Sequence, residues 1–151
     1  MKKIIALIVL IMTLNSCAEK IVINREVDST EYGKMLLGTQ SFDQFHKEPY
    51  KVWFDENYKI YPTDKPSIEA LKKAKINSYN ITVFLGTWCG DSKRNFPRLM
   101  KILDETKFPK SKLHIIGVNR KKQSPNGEEA KYNIVKVPTI ILEKYGKEIG
   151  R

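Results

Sequence analysis

An apolar run, Ile81-Thr82-Val83-Phe84-Leu85-Gly86, ends directly in Thr87-Trp88-Cys89-Gly90-Asp91-Ser92. A run with so little polar alternation reads as a strand covered on both faces. The Trp-Cys-Gly turn then opens a helix, in which Phe96, Leu99, Met100, Ile102 and Leu103 recur at helical spacing around Pro97. Strand, turn and helix together present a cysteine at a helix start, where thiols become reactive. A dithiol pair needs a second cysteine one turn further on, and that position is Ser92. The site is therefore read as monothiol, unable to close an internal disulfide between positions 89 and 92.

The chain's other cysteine, Cys17, sits in a different context. Met1-Lys2-Lys3 is a short basic start, and Ile4 to Leu14 is apolar apart from Thr13. Leu14-Asn15-Ser16 then leads into Cys17. The layout is that of a secretory signal peptide, too short to span a bilayer. Its ending resembles the lipobox of bacterial lipoproteins, with Asn15 a departure where a small residue is usual. The resemblance implies that residues 1–16 are removed, that Cys17 carries the lipid as a thioether, and that the protein sits outside the cytoplasm on a membrane of the cell envelope. Cys17 is then unavailable for redox work.

Removing Lys2 and Lys3 with the leader takes the formal charge from +10 to +8. A basic surface suits nucleic acid, anionic lipid headgroups or acidic partners. The clusters Lys72-Lys73 and Arg120-Lys121-Lys122 lack interleaved aromatic residues, so they read as solvated faces, and no nucleic-acid partner is expected. Two cysteines make no disulfide framework, so the fold must be held by its core.

After the leader, residues 17–38 read as a lipidated tether with one short strand at Ile21-Val22-Ile23. Residues 39–66 read as a helical extension: Phe42, Phe45, Tyr50, Trp53 and Phe54 fall at helical spacings behind a cap at Thr39 or Ser41. An aromatic stripe of this kind is expected to be core, not a ligand box. Pro62 and Pro66 mark a junction. From residue 67 to 151 the pattern alternates: an amphipathic helix from Ser67, the strand 81–86, the helix after Cys89, a buried strand 113–118, a polar loop with a helical turn at 128–132, a strand 139–142, a turn at Tyr145-Gly146 and a further strand from Glu148. No repeats or low-complexity tracts occur.

This order resembles the thioredoxin-like family. Trp88-Cys89-Gly90-Asp91-Ser92 matches the family's Trp-Cys-x-x-Cys with its last position changed. Pro97 stands where the family carries the proline that kinks its active-site helix, and Val137-Pro138-Thr139 matches the segment with a cis proline facing the cysteine. The resemblance implies an α/β fold, a central mixed sheet flanked by helices, over residues 67–151. It also implies a helix after the final hairpin, whereas the sequence stops at Arg151; the expectation is a truncated domain lacking that helix.

Cys89 is the expected nucleophile. Free backbone N–H groups at a helix start favour the thiolate. Asp91 disfavours it and Lys93 and Arg94 offset Asp91. Ser92 is expected to donate a hydroxyl hydrogen bond to the sulfur, and Trp88 to shield one side of it. Val137, with Pro138, is expected to offer its carbonyl and N–H to an extended peptide, the groove being completed by Gly90 and Asp91. His46 and His114 lack patterned metal partners, no metal or cofactor is called for, and no nucleotide or Ser/His/Asp motif is present.

A mixed disulfide at a monothiol site persists until another thiol attacks it. The expected activity is therefore monothiol oxidoreductase or isomerase-like exchange on exported protein thiols or disulfides, or on small thiols, with an external reductant for resolution. The alternative is a non-catalytic binding or assembly module on the same fold.

Overall fold

The computed structural model describes residues 22–151. The leader 1–16, Cys17 and the apolar residue Ile21 lie outside the described residues. Among the described residues no helix is long and apolar enough to cross a membrane.

The strand Asn80–Leu85 (β3) is central. It pairs in parallel with Leu113–Gly117 (β4) and antiparallel with Thr139–Lys144 (β5), which pairs in turn with Lys147–Gly150 (β6). Alternate side chains of β3 enter two separate cores. Ile81, Val83 and Leu85 join one, and Phe84 joins Ile116, Ile134 and Ile141 in the other. The architecture is the expected α/β mixed sheet flanked by helices.

The polar stretch around residues 25–40 departs from expectation. It is not a tether: Arg25–Ser29 (β1) and Gly33–Gln40 (β2) form a hairpin, and of the strand expected at 21–23 the described residues Val22 and Ile23 are not strand. Gly33, with φ +66°, takes the left-handed conformation at the head of β2. β2 then pairs antiparallel with β4, giving one six-stranded sheet in the order β1-β2-β4-β3-β5-β6. The hairpin runs tight against the sheet: a Cβ on Gly117 would lie 2.2 Å from the Leu36 carbonyl oxygen.

Thr39 belongs to β2, and Ser41 precedes a short 3-10 turn, Phe42–His46, without a side-chain cap. Helix α1 (Tyr50–Ile60) follows. Tyr50 and Phe54, four apart, are buried with Phe45, so the aromatic stripe is core, as expected. Helix α2 (Lys65–Lys73) starts earlier than Ser67: the Asp64 carboxylate caps it, accepting from the Ser67 N–H at 2.9 Å, and Pro66 falls inside its first turn. Helix α3 (Gly90–Glu105) buries Phe96, Met100 and Leu103, spaced i, i+4, i+7, and carries Pro97 in its interior. Phe45 meets Phe96 with ring centroids 4.6 Å apart, which joins the extension to the helix that begins at Cys89. A one-turn helix, α4 (Glu128–Lys131), precedes the loop to β5.

Candidate active site

The site lies where β3 gives way to α3. The turn closes with the Cys89 N–H donating to the Gly86 carbonyl at 2.9 Å, and the helix starts with the Lys93 N–H donating to the Cys89 carbonyl at 3.0 Å. Cys89 is the N-cap of α3, and no side chain caps the free N–H groups of the first turn. These N–H groups mark the positive end of the helix dipole, and the sulfur sits beside it. Cys89 is a free, half-buried thiol.

Across from it, the Val137–Pro138 bond is cis, as expected from the sequence. The Cys89 thiol lies 3.6 Å from the Val137 carbonyl oxygen, to which it donates. The Val137 N–H makes no hydrogen bond among the described residues, so a donor remains for an incoming chain. Trp88 donates its indole N–H to the Val118 carbonyl at 2.9 Å and lies over Gly86, where a Cβ would come within 2.5 Å of the ring. Gly86 thus leaves room for the indole beside the cysteine.

Ser92 differs from expectation. Its side chain is fully buried, and its hydroxyl accepts from the Gly86 N–H at 3.2 Å. No hydrogen bond joins it to the Cys89 sulfur among the described residues; its oxygen instead satisfies the buried Gly86 N–H of the loop. Gly90 and Asp91 are exposed on the first turn of α3. Asp91 pairs with Arg94 at 2.6 Å, so the carboxylate two residues after the cysteine is offset by its own helix. Cys89, Trp88, Val137 and Pro138 are therefore brought together, Ser92 lies beneath the loop, and Cys17 lies outside the described residues.

Two features escaped sequence reasoning. Thr87 is buried, and its hydroxyl accepts from the Leu36 N–H at 3.2 Å, tying the N-terminal hairpin to the cysteine loop. Arg120, read as part of a solvated basic cluster, holds its guanidinium 3.6 Å from the centre of the Tyr32 ring and 5.3 Å from that of Trp88. The only local signal was the basic cluster itself; its partner Tyr32 lies far away in sequence.

A cleft of about 310 Å³ on the far side of the sheet is lined in part by Thr82, His114 and Glu143, and takes no wall from the cysteine turn or the Val137 loop. Among the described residues no group of three or more His, Cys, Asp or Glu is arranged to hold a metal ion. The chemistry this arrangement can support is that of a single thiol.

The family model described as Thioredoxin matches residues 68–151 of this chain. No curated protein matches it.

Proposed function

From this chain's membership of the thioredoxin family, we propose that it carries out monothiol thiol–disulfide exchange at Cys89 in the bacterial cell envelope. One juxtaposition carries the reading: a half-buried sulfur at the N-cap of α3 lies 3.6 Å from the Val137 carbonyl, beside an unpartnered Val137 N–H. A nucleophile and a main-chain donor for an extended substrate stand side by side.

The Cys89 thiolate attacks one sulfur of a substrate disulfide. A Cys89–sulfur bond forms, the substrate S–S bond breaks, and the other sulfur leaves as a thiolate with the electron pair. The mixed disulfide is released when a second thiolate attacks the substrate sulfur and Cys89 departs as thiolate. With Ser92 in place of a second cysteine, that thiolate comes from the substrate itself, which gives isomerisation, or from an external thiol, which is left disulfide-bonded to the substrate sulfur. A second external thiolate then attacks the external sulfur, the substrate sulfur leaves as thiolate, and an external disulfide carries away the oxidation. Substrates are exported protein thiols and disulfides or small thiols. The envelope location rests on the leader and on Cys17 as its lipid anchor.

A second reading, a binding or assembly module, is favoured by one observation: position 92 is a buried serine whose oxygen accepts from the Gly86 N–H, so among the described residues no second thiol stands beside Cys89. The rate of Cys89 with dipyridyl disulfide, measured on the full chain carrying Cys17→Ser, separates the two. A rate well above that of an unstructured cysteine peptide supports exchange, and a rate no greater than the peptide's supports the module.

A further inference from the structure

The hairpin and α1 place side chains beside the Cys89 turn that lie outside the stretch matching the family, and they close a cleft of about 440 Å³ on the Trp88 side of the turn. We propose that this cleft is a carboxylate-binding subsite, selecting substrates that carry a carboxylate close to the reacting sulfur; the inference rests on Cys89 being the nucleophile.

Two kinds of side chain build it. Tyr32, Trp53 and Trp88 give it aromatic walls, and Lys34, Lys93 and Arg120 bring positive charge. The cleft adjoins the sulfur: Thr87 and Trp88 line it immediately before Cys89, and Lys93 lines it one turn later. Its volume suits a small-molecule group or a single side chain.

The charges are not equivalent. Lys34 is paired with Glu26 at 2.9 Å, and the Glu31 carboxylate, also in the wall, accepts the Tyr32 hydroxyl. Lys93 and Arg120 make no ion pair among the described residues. Even against Glu31, the lining keeps an excess of positive charge. Arg120 is also held in place, with its guanidinium over Tyr32. Stacking occupies the face of a guanidinium and leaves its N–H edge for a carboxylate, in the planar geometry that arginine serves better than lysine. A neutral ligand would leave these cations unanswered, whereas a carboxylate pairs with both. Either a small acidic thiol or an Asp or Glu beside a protein cysteine supplies that carboxylate.

The reaction itself is unchanged. Cys89 attacks the disulfide sulfur, the leaving sulfur departs as thiolate, and the carboxylate remains in the cleft without bond changes. The test compares rates of the full chain carrying Cys17→Ser with a bis(nitrobenzoate) disulfide and with neutral dipyridyl disulfide. A second pair, peptide disulfides with Glu or Gln beside the cysteine, separates the two sources of carboxylate. The acidic-to-neutral rate ratio should fall roughly tenfold in Lys93→Gln/Arg120→Gln, should be largely kept in Lys93→Arg, and should hold in Lys121→Gln/Lys122→Gln, which removes the same formal charge outside the cleft. A fall confined to the small disulfides assigns the site to a small thiol, and a fall with the peptides assigns it to a protein side chain; either supports the subsite. A ratio unmoved in every variant, or lowered equally by Lys121→Gln/Lys122→Gln, overturns it.

A readout independent of reactivity comes from the chain's two tryptophans, Trp53 and Trp88, both of which line the cleft. In Cys89→Ala, isophthalate should shift the tryptophan fluorescence, its diamide should not, and Lys93→Gln/Arg120→Gln should weaken the response. If Cys89 proves unreactive while isophthalate still binds, exchange fails and the subsite stands. If Cys89 reacts while isophthalate and its diamide behave alike, the subsite fails and exchange stands.

Discussion

The Ser92 hydroxyl accepts a hydrogen bond from the Gly86 N–H at 3.2 Å, fully buried beneath the loop that presents Cys89. The residue standing where a resolving thiol would be has become a structural tie between the end of β3 and the first turn of α3. Ser92→Ala should leave a buried donor without its partner, costing about 1–3 kcal/mol of stability, read as a lower denaturant midpoint. Ser92→Cys should lose part of that tie but gain a thiol one turn from Cys89. An internal disulfide and higher turnover with an external reductant are expected, seen by thiol counting and a reductase assay. A variant that keeps two free thiols under oxidising conditions would count against that geometry.

Thr87 and Leu36 form the matching tie on the other side of the loop. Thr87→Val keeps the shape but removes the acceptor for a buried N–H. A loss of about 1–3 kcal/mol is expected, with Thr87→Ser recovering most of it. Hydrogen exchange should show the Leu36 amide losing protection in the valine variant.

Much of the site was legible because its signals are local. β3, the turn and the start of α3 are contiguous, and Val137-Pro138 is a dipeptide. The hairpin was not legible: β1 is Arg-Glu-Val-Asp-Ser, an edge strand with its side chains largely exposed and no apolar run to announce it. The place of β2 depends on Gly117, which admits the Leu36 carbonyl from a distant part of the chain. Side-chain direction was also beyond reach. Spacing puts Ser92 one turn from Cys89, but only the folded loop shows that the Gly86 N–H takes the hydroxyl. Arg120 was visible as charge, yet its stacking on Tyr32 joins residues that no local pattern links.

The hairpin should loosen in acid. The Lys34 ammonium and the Tyr50 hydroxyl both donate to Glu26, at 2.9 and 3.1 Å. The Lys34 hydrogen bond is the largest cause holding the Glu26 carboxyl below its ordinary value of 4.5; burial opposes it and the Tyr50 bond assists. A carboxyl lowered by folding stabilises the fold above its unfolded value, and that contribution is lost as pH falls through the lower folded value. The stability difference between wild type and Glu26→Gln should therefore be present at neutral pH and shrink below 4.5. Urea melts across that range check it, and a difference independent of pH would contradict the tie.

Attachment is tested through Cys17. In the native host, Cys17→Ser should leave the protein unprocessed or released from membranes, whereas wild type should fractionate with membranes and carry lipid. A wild-type protein that is soluble and unlipidated would remove the anchor from the account.

The most direct measurement is the intact mass of the full chain carrying Cys17→Ser after incubation with a small disulfide. Monothiol exchange predicts one added thiol, located at Cys89, stable over time, released by an external thiol and absent after Cys89→Ala. A protein whose Cys89 remains unmodified, while an unstructured cysteine peptide in the same tube is fully trapped, would contradict the account.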